Sequence, residues 1–474
     1  MALKAARRAV ATWWCAVALC QAATLVRYPY LQNVRSDRVT VIWTTREDGA
    51  ATLRYSADRT LFLTATDRTR RFGTTETGMS AAYFQHQADL TGLTPGTEYS
   101  YQVVMEDETL TPAGDDLRFR TATSGPFTFL VFGDSGQGTP AQRQIAQLMM
   151  QERPAFVLHT GDIAYESGTF DQYQRNYFDY YRDLMKRAPF FTTPGNHDYA
   201  TNFAAPYLAV HSPPADDVPP ADRGRYYSFD WGNAHFVSLD SNMPLANAVN
   251  GTGQMLQWLE SDLQKTQQAW KVVFFHHSAY PTANHEDDDI SALVRNRLIP
   301  ILDKYSIDLV LNGHEHSYQH TQAFRGGVGV EDRFGAVYVI TGGGGAALHP
   351  VFPRPFLVFA KSAHHYMRVD VQDAQMTLRA IDSDGQEIDN FTLEPRFPLS
   401  GKPPQLSTGA VVNAASFTPA LAPGTLVSIF GQNLSFRENR ANRLPLPNQL
   451  GGANVSLNGR RLPLLFVSPS QINA

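Results

Sequence analysis

Phe127-Thr128-Phe129-Leu130-Val131-Phe132-Gly133-Asp134-Ser135-Gly136 is a nearly unbroken apolar run that stops at a Gly-Asp turn. A strand with one face in water alternates polar and apolar residues, whereas a continuous run fits a strand covered on both faces, as in sheets flanked by helices. Shorter runs of the same kind stand at Phe156 to Leu158, Val272 to Phe275 and Leu309 to Leu311, and between them the apolar spacing becomes helical. Thr139-Pro140 offers a cap and a first-turn proline to one helix, with Ile145, Leu148 and Met149 on its buried face. A second helix carries Met255, Trp258, Leu259 and Leu263, and a third, over 290–305, buries Ile290, Leu293, Ile301 and Leu302. The pattern over 226–239 is strand, turn, strand, with Trp231-Gly232-Asn233 at the turn, so the sheet is mixed. With strands after Ala336 and from Tyr366 to Leu393, an α/β domain is expected over 124–396.

Outward from this domain the texture changes. Over 24–123 short strands alternate with period two (Val39, Val41, Trp43; Leu53, Tyr55; Tyr99, Tyr101, Val103), the mark of a small antiparallel β-sandwich. Leu93-Thr94-Pro95-Gly96-Thr97-Glu98-Tyr99 resembles the tyrosine corner of fibronectin type III and immunoglobulin-like domains. Downstream, a polar, proline-containing linker is expected over 397–408, then a β-rich segment over 409–474. Its phrases Val411-Val412-Asn413-Ala414-Ala415-Ser416-Phe417 and Ser468-Pro469-Ser470-Gln471-Ile472-Asn473-Ala474 resemble part of an Ig-like C-terminal module of secreted bacterial proteins. At roughly 100 to 200 residues per domain, 474 residues accommodate these three units.

The first 23 residues read as an export signal: Lys4, Arg7 and Arg8, an apolar stretch from Ala9 to Leu19, then small residues at Ala22 and Ala23. The stretch is too short to remain as a membrane span, and a lipid anchor at Cys20 is the weaker reading because bulky Leu19 precedes it. A secreted or periplasmic protein is expected. Both cysteines, Cys15 and Cys20, fall in that leader, so a mature chain has neither disulfide nor thiolate chemistry. A net charge of −5 provides no footprint for a nucleic-acid backbone. A small anionic substrate must then be met by local charge, which a metal supplies.

Five phrases sit at or just beyond the ends of expected strands, where open α/β sheets place their ligands. They are Gly133-Asp134-Ser135-Gly136, Gly161-Asp162-Ile163-Ala164-Tyr165, Gly195-Asn196-His197-Asp198, His276-His277 and Gly313-His314-Glu315-His316. Any one is an ordinary turn; five in order on one alternating segment are a metal-site pattern. The donors sort by hardness: Asp134, Asp162, Tyr165 and His316 suit trivalent iron, and Asn196, His276 and His314 with a share of Asp162 suit divalent Zn, Mn or Fe. Gly342 to Gly345 lacks the Lys-Ser/Thr that follows a phosphate-cradling loop and reads as a tight turn near the site.

These phrases resemble the metallophosphoesterase superfamily, and Tyr165 three residues after Asp162 resembles the purple acid phosphatases within it. The resemblance implies that Asp134, Asp162, Tyr165 and His316 hold Fe(III), and that Asp162, Asn196, His276 and His314 hold the second metal. It also implies that His197 and His285 contact substrate. Some plant members have a second histidine directly after the one matched by His285; here that place is Glu286, followed by Asp287, Asp288 and Asp289, a run that also reads as a solvated helix start. Tyr165 has a second reading as a packing aromatic. His276, four residues before Tyr280, is preferred to His277 as the ligand, and His159, His235, His320, His349, His364 and His365 are read as structural. The implied activity is hydrolysis of small phosphomonoesters by metal-bound hydroxide. A phosphodiesterase or nucleotide hydrolase of the same superfamily, and a non-catalytic secreted binding protein, are the alternatives.

Overall fold

Residues 127–132 and 156–158 do form buried strands, Phe127–Phe132 and Phe156–His159, and the later runs form Trp270–Phe274 and Leu309–Asn312, but these pairs lie in two different sheets. The computed structural model describes residues 23–474 apart from 61, 112–114, 244–252, 332–333, 397–403, 436–437, 442–443, 449 and 451–452. The expected leader thus lies outside the described residues except for Ala23, as does most of the expected linker; the strand Gln405–Asn413 already begins inside the 397–408 span assigned to that linker.

The six-stranded sheet runs Phe190–Thr192, Phe156–His159, Phe127–Phe132, His365–Gln372, Gln375–Asp382, Glu387–Leu393; its first three strands are parallel and the others antiparallel. The seven-stranded sheet runs Tyr227–Trp231, Ala234–Ser238, Trp270–Phe274, Leu309–Asn312, Val337–Thr341, Tyr318–Thr321, Leu357–Lys361, parallel through its middle. Alternation along a strand sends successive side chains to opposite faces. Phe129 and Val131 therefore enter the layer between the sheets, while Leu130 and Phe132 turn outward to helices. Between the sheets Phe129 stacks on Phe156 at 5.1 Å and meets Phe236 of the other sheet edge-on at 5.3 Å. Helices Pro140–Gln151 and Asp179–Met185 cover one outer face, and Gln254–Lys265 and Ile299–Lys304 the other, giving four layers.

Thr139 caps the first helix as expected, accepting from Gln142 N at 3.2 Å. The third expected helix is interrupted. Val294–Leu298 is a π-helical turn between Asp289–Leu293 and Ile299–Lys304. Pro300 has no N–H and its ring crowds the carbonyl four residues back, and a wider turn relieves both. The extra residue rotates the buried face, so Val294, Leu298 and Leu302 are buried whereas Leu293 is 38% exposed, contrary to the uniform helical spacing.

The N-terminal sandwich pairs a four-stranded sheet (Leu25–Gln32, Arg38–Thr45, Tyr83–Thr91, Arg68–Phe72) with a second built around Ala51–Ser56 and Glu98–Met105. Its corner is formed as the sequence implies, with Thr94 N donating to Tyr99 Oη at 3.0 Å. Tyr30 Oη donates to Val210 O at 2.7 Å and Tyr101 Oη to Lys186 O at 2.8 Å, tying the sandwich to the α/β layers. The C-terminal sheet includes Gln405–Asn413, Val427–Gln432 and Gln471–Asn473 around Ile429, Leu464, Val467 and Ile472.

Candidate metal centre

Asp134, Asp162 and His314 each follow a glycine just beyond a parallel strand, and each is in the left-handed region, with φ of +55°, +54° and +70°. For non-glycine residues that conformation costs about 1–3 kcal/mol each and persists where the surroundings dictate it. Here the turns aim short side chains into one pocket. Glycines make the approach possible: a Cβ on Gly195 would overlap Asp162 Oδ1, and one on Gly313 would overlap Asp134 Oδ2.

The seven donor side chains converge in two adjacent groups. In the first, Tyr165 Oη lies 2.9 Å from Asp162 Oδ2, 3.4 Å from Asp134 Oδ1 and 3.1 Å from His316 Nε2. In the second, His276 Nε2 lies 3.0 Å from Asn196 Oδ1 and 3.2 Å from His314 Nδ1. Asp162 stands between them, its Oδ2 also 3.5 Å from His276 Nε2.

Proton bookkeeping shows what this pocket lacks. His276 Nδ1 faces Thr160 O at 2.9 Å, and a carbonyl only accepts, so the ring proton sits on Nδ1 and Nε2 presents a lone pair. His314 Nε2 faces Asp288 Oδ2 at 3.2 Å, so its Nδ1 also presents a lone pair. His316 Nδ1 donates to Ala347 O at 2.6 Å and leaves Nε2 bare. Lone pairs of His276, His314 and Asn196 therefore face one another with no proton between them, and the phenol's single proton serves three acceptors. Such a set fits cations. Burial, then His314, holds His276 far below its usual pKa, and burial, then His349, holds His316 at about 4, so both rings are neutral. Burial and the Asp162 carboxylate push Asp134 and Tyr165 well above their usual values, the response of a pocket with more negative charge than its own residues neutralise.

His197 and His285 stand at the open side, their side chains 32% and 31% exposed. His197 N donates to Asp162 Oδ1 at 2.9 Å, its Nδ1 donates to Glu166 O at 2.7 Å, and its ring lies 4.4 Å from that of Tyr165. The His285 ring lies 3.7 Å from that of His314. His277 packs beside the second group, its ring 5.0 Å from that of His276 and 4.5 Å from that of His314, with its Nδ1 2.7 Å from Ser241 Oγ.

Residues 127–318 match the family described as calcineurin-like phosphoesterase, and residues 28–121 match the purple acid phosphatase N-terminal domain. The chain thus carries a calcineurin-like phosphoesterase domain preceded by a purple acid phosphatase N-terminal domain. An uncharacterized Mycobacterium tuberculosis protein is 28% identical over 326 residues, 57% of this chain and 60% of that protein, so the chain spans about three-fifths of that relative's length. Human acid phosphatase type 7 is 29% identical over 353 residues, covering 66% of this chain and 77% of its own. A purple acid phosphatase from yellow lupin seeds has the same fold, with a TM-score of 0.71 at 20% identity over 79% of this chain and 75% of that one.

Around this pocket, several residues make contacts the sequence did not disclose. Asp198 is buried and accepts from Gly195 N at 2.8 Å, from Ile163 N at 3.2 Å and from Tyr173 Oη at 2.6 Å, clamping the Asp162 turn to the Asn196 turn. Asp288, read as part of a solvated helix start, does cap Asp289–Leu293 but also orients His314. His349, read as structural, lies at the site: its ring stacks on His316 at 4.0 Å and its Nδ1 meets Glu315 Oε2 at 3.0 Å. No spacing in the sequence marks it. The Gly342 to Gly345 turn packs behind Asp134, with Gly344 N donating to Gly133 O at 2.9 Å and Ala346 N to Asp134 O at 2.9 Å.

Proposed function

We propose that this protein is a secreted or periplasmic acid phosphatase that hydrolyses small phosphomonoesters at two metal ions. One observation carries the reading: two lone-pair-rich donor sets share Asp162 beneath a rim bearing two half-exposed imidazoles. Asp134, Asp162, Tyr165 and His316, with two carboxylates and a phenol, suit Fe(III); Asp162, Asn196, His276 and His314 suit a divalent Zn, Mn or Fe. Two such ions held there would clamp phosphoryl oxygens and acidify a water. The protein's own part is orientation. Thr160 O, Asp288 and Ala347 O set the tautomers that aim the three imidazole lone pairs inward. His197 steadies the phosphoryl oxygens, and His285 donates a hydrogen bond or proton to the departing ester oxygen, which is too basic to leave unaided when it is an alkoxide. Export is supported by the basic and apolar leader pattern and by the confinement of both cysteines to it. Among the described residues no helix is long and apolar enough to cross a membrane.

Hydrolysis of nitrophenyl phosphate and of bis(nitrophenyl) phosphate by the pure metal-replete protein tests the reading. The expected result is a kcat/KM on the monoester at least about tenfold above that on the diester. The reverse order assigns a phosphodiesterase, and no turnover of either by protein holding two metals assigns a binding protein.

A further inference from the structure

His285 has no metal to fix it. It lies on the segment between Trp270–Phe274 and Asp289–Leu293, and its placement must come from the chain. Glu315 provides it. This carboxylate, between His314 and His316, is 0% exposed, and a charge buried so completely costs several kcal/mol unless each lone pair is used. Its oxygens accept from His285 N at 2.7 Å, from Asn284 N at 3.2 Å and from His349 Nδ1 at 3.0 Å, and His285 Nδ1 stands 3.6 Å from Oε1. Two of these contacts are to the main chain of the very segment that carries His285. The third draws in His349, whose ring stacks on His316 at 4.0 Å. A bidentate pair of Glu286 with Arg354 holds the same segment from the outside.

We propose that Glu315 is a positioning residue that, together with His349, holds His285 in register with the metal centre so that it meets the departing oxygen. The inference rests on the leaving-group role given to His285 above. Misplacing a catalytic group by about 1 Å costs on the order of a hundredfold in rate, so an isosteric change at Glu315 that shifts His285 registers in the departure of the ester oxygen.

The test is a double-mutant cycle of Glu315→Gln, with His349→Asn as a second entry to the same contact, each in the parent and in a His285→Ala background, assayed on glycerol phosphate and nitrophenyl phosphate with metal content measured throughout. Expected in the parent is a loss of about 10- to 100-fold in kcat on glycerol phosphate, with KM nearly unchanged and both metals retained. Nitrophenyl phosphate loses less than about threefold, and in the His285→Ala background the added substitution costs less than about twofold on either substrate. A crystal structure of Glu315→Gln is expected to show residues 284–286 shifted against an intact metal centre. Equal factors in both backgrounds, equal losses on both substrates, or an unshifted His285 in an impaired variant would overturn the proposal. An inactive parent overturns the proposed function instead, so the two failures are distinguishable.

Discussion

Tyr165 Oη, placed 2.9 Å from Asp162 Oδ2 and 3.1 Å from His316 Nε2, is the residue that separates this centre from one built only of carboxylates, amide and imidazoles. If Tyr165 binds ferric iron as phenolate, concentrated oxidised protein is expected to be purple or pink, and Tyr165→Phe to bleach the visible band while leaving the melting transition in place; a variant with the band intact removes Tyr165 as the chromophore. The rim histidines separate by leaving group. A general acid is worth about 10²–10⁴-fold to an alkoxide and far less to a nitrophenolate, so His285→Ala is expected to slow glycerol phosphate much more than nitrophenyl phosphate. If His197 steadies the phosphoryl oxygens as proposed, His197→Ala is expected to slow both alike. Equal fractional losses in metal-replete His285→Ala contradict the assignment. The donors were legible because each stands in a short phrase at or just beyond a strand end, most beside a glycine. Glu315 and Asp198 lie in those same phrases, but what makes them matter is which distant N–H groups they accept from, and that depends on tertiary placement. His349 reaches the site from a loop 33 positions beyond His316 with no periodicity to announce it.

At the scale of elements, His235 joins three of them: it lies on Ala234–Ser238, its Nδ1 is 2.6 Å from Asp230 on Tyr227–Trp231, and its Nε2 is 2.8 Å from Asp262 on Gln254–Lys265. Burial pulls its pKa down, but hydrogen bonds to the two carboxylates outweigh that and raise it from 6.5 to about 9. A raised pKa means that folding favours the protonated ring. The stabilisation is therefore complete below about pH 6.5 and fades as pH climbs through about 9. Urea unfolding is expected to show a midpoint falling across that window, and His235→Gln to flatten the fall; an unchanged slope in the variant contradicts the bridge. Sequence period identified the helix that carries Asp262, because its apolar residues recur without interruption. It misjudged Leu293, because a single proline at 300 inserts a π turn that shifts the register of everything before it.

For the whole molecule, three textures of sequence pattern correspond to three kinds of sheet, and the apolar runs pointed to strands covered on both faces. What pattern alone did not separate was one mixed sheet from two, since Phe129 meets Phe236 across the layer by packing that no local period encodes. The centre sits where parallel strands of both sheets end, so metal held by the proposed donors would link the two halves of the α/β layers. Ligands that bind only the folded state add stability by mass action. Removing the metals with a chelator is expected to lower the melting temperature, and Asp162→Ala, which touches both donor sets, to lower it more than Asn196→Ala. The account stands most directly on elemental analysis of the pure protein grown with iron, zinc and manganese, beside Asp162→Ala prepared in parallel. Two metal ions per chain, one of them iron, with little of either retained by Asp162→Ala, is the predicted result; a parent holding one ion or none, or an Asp162→Ala variant still holding two, contradicts it.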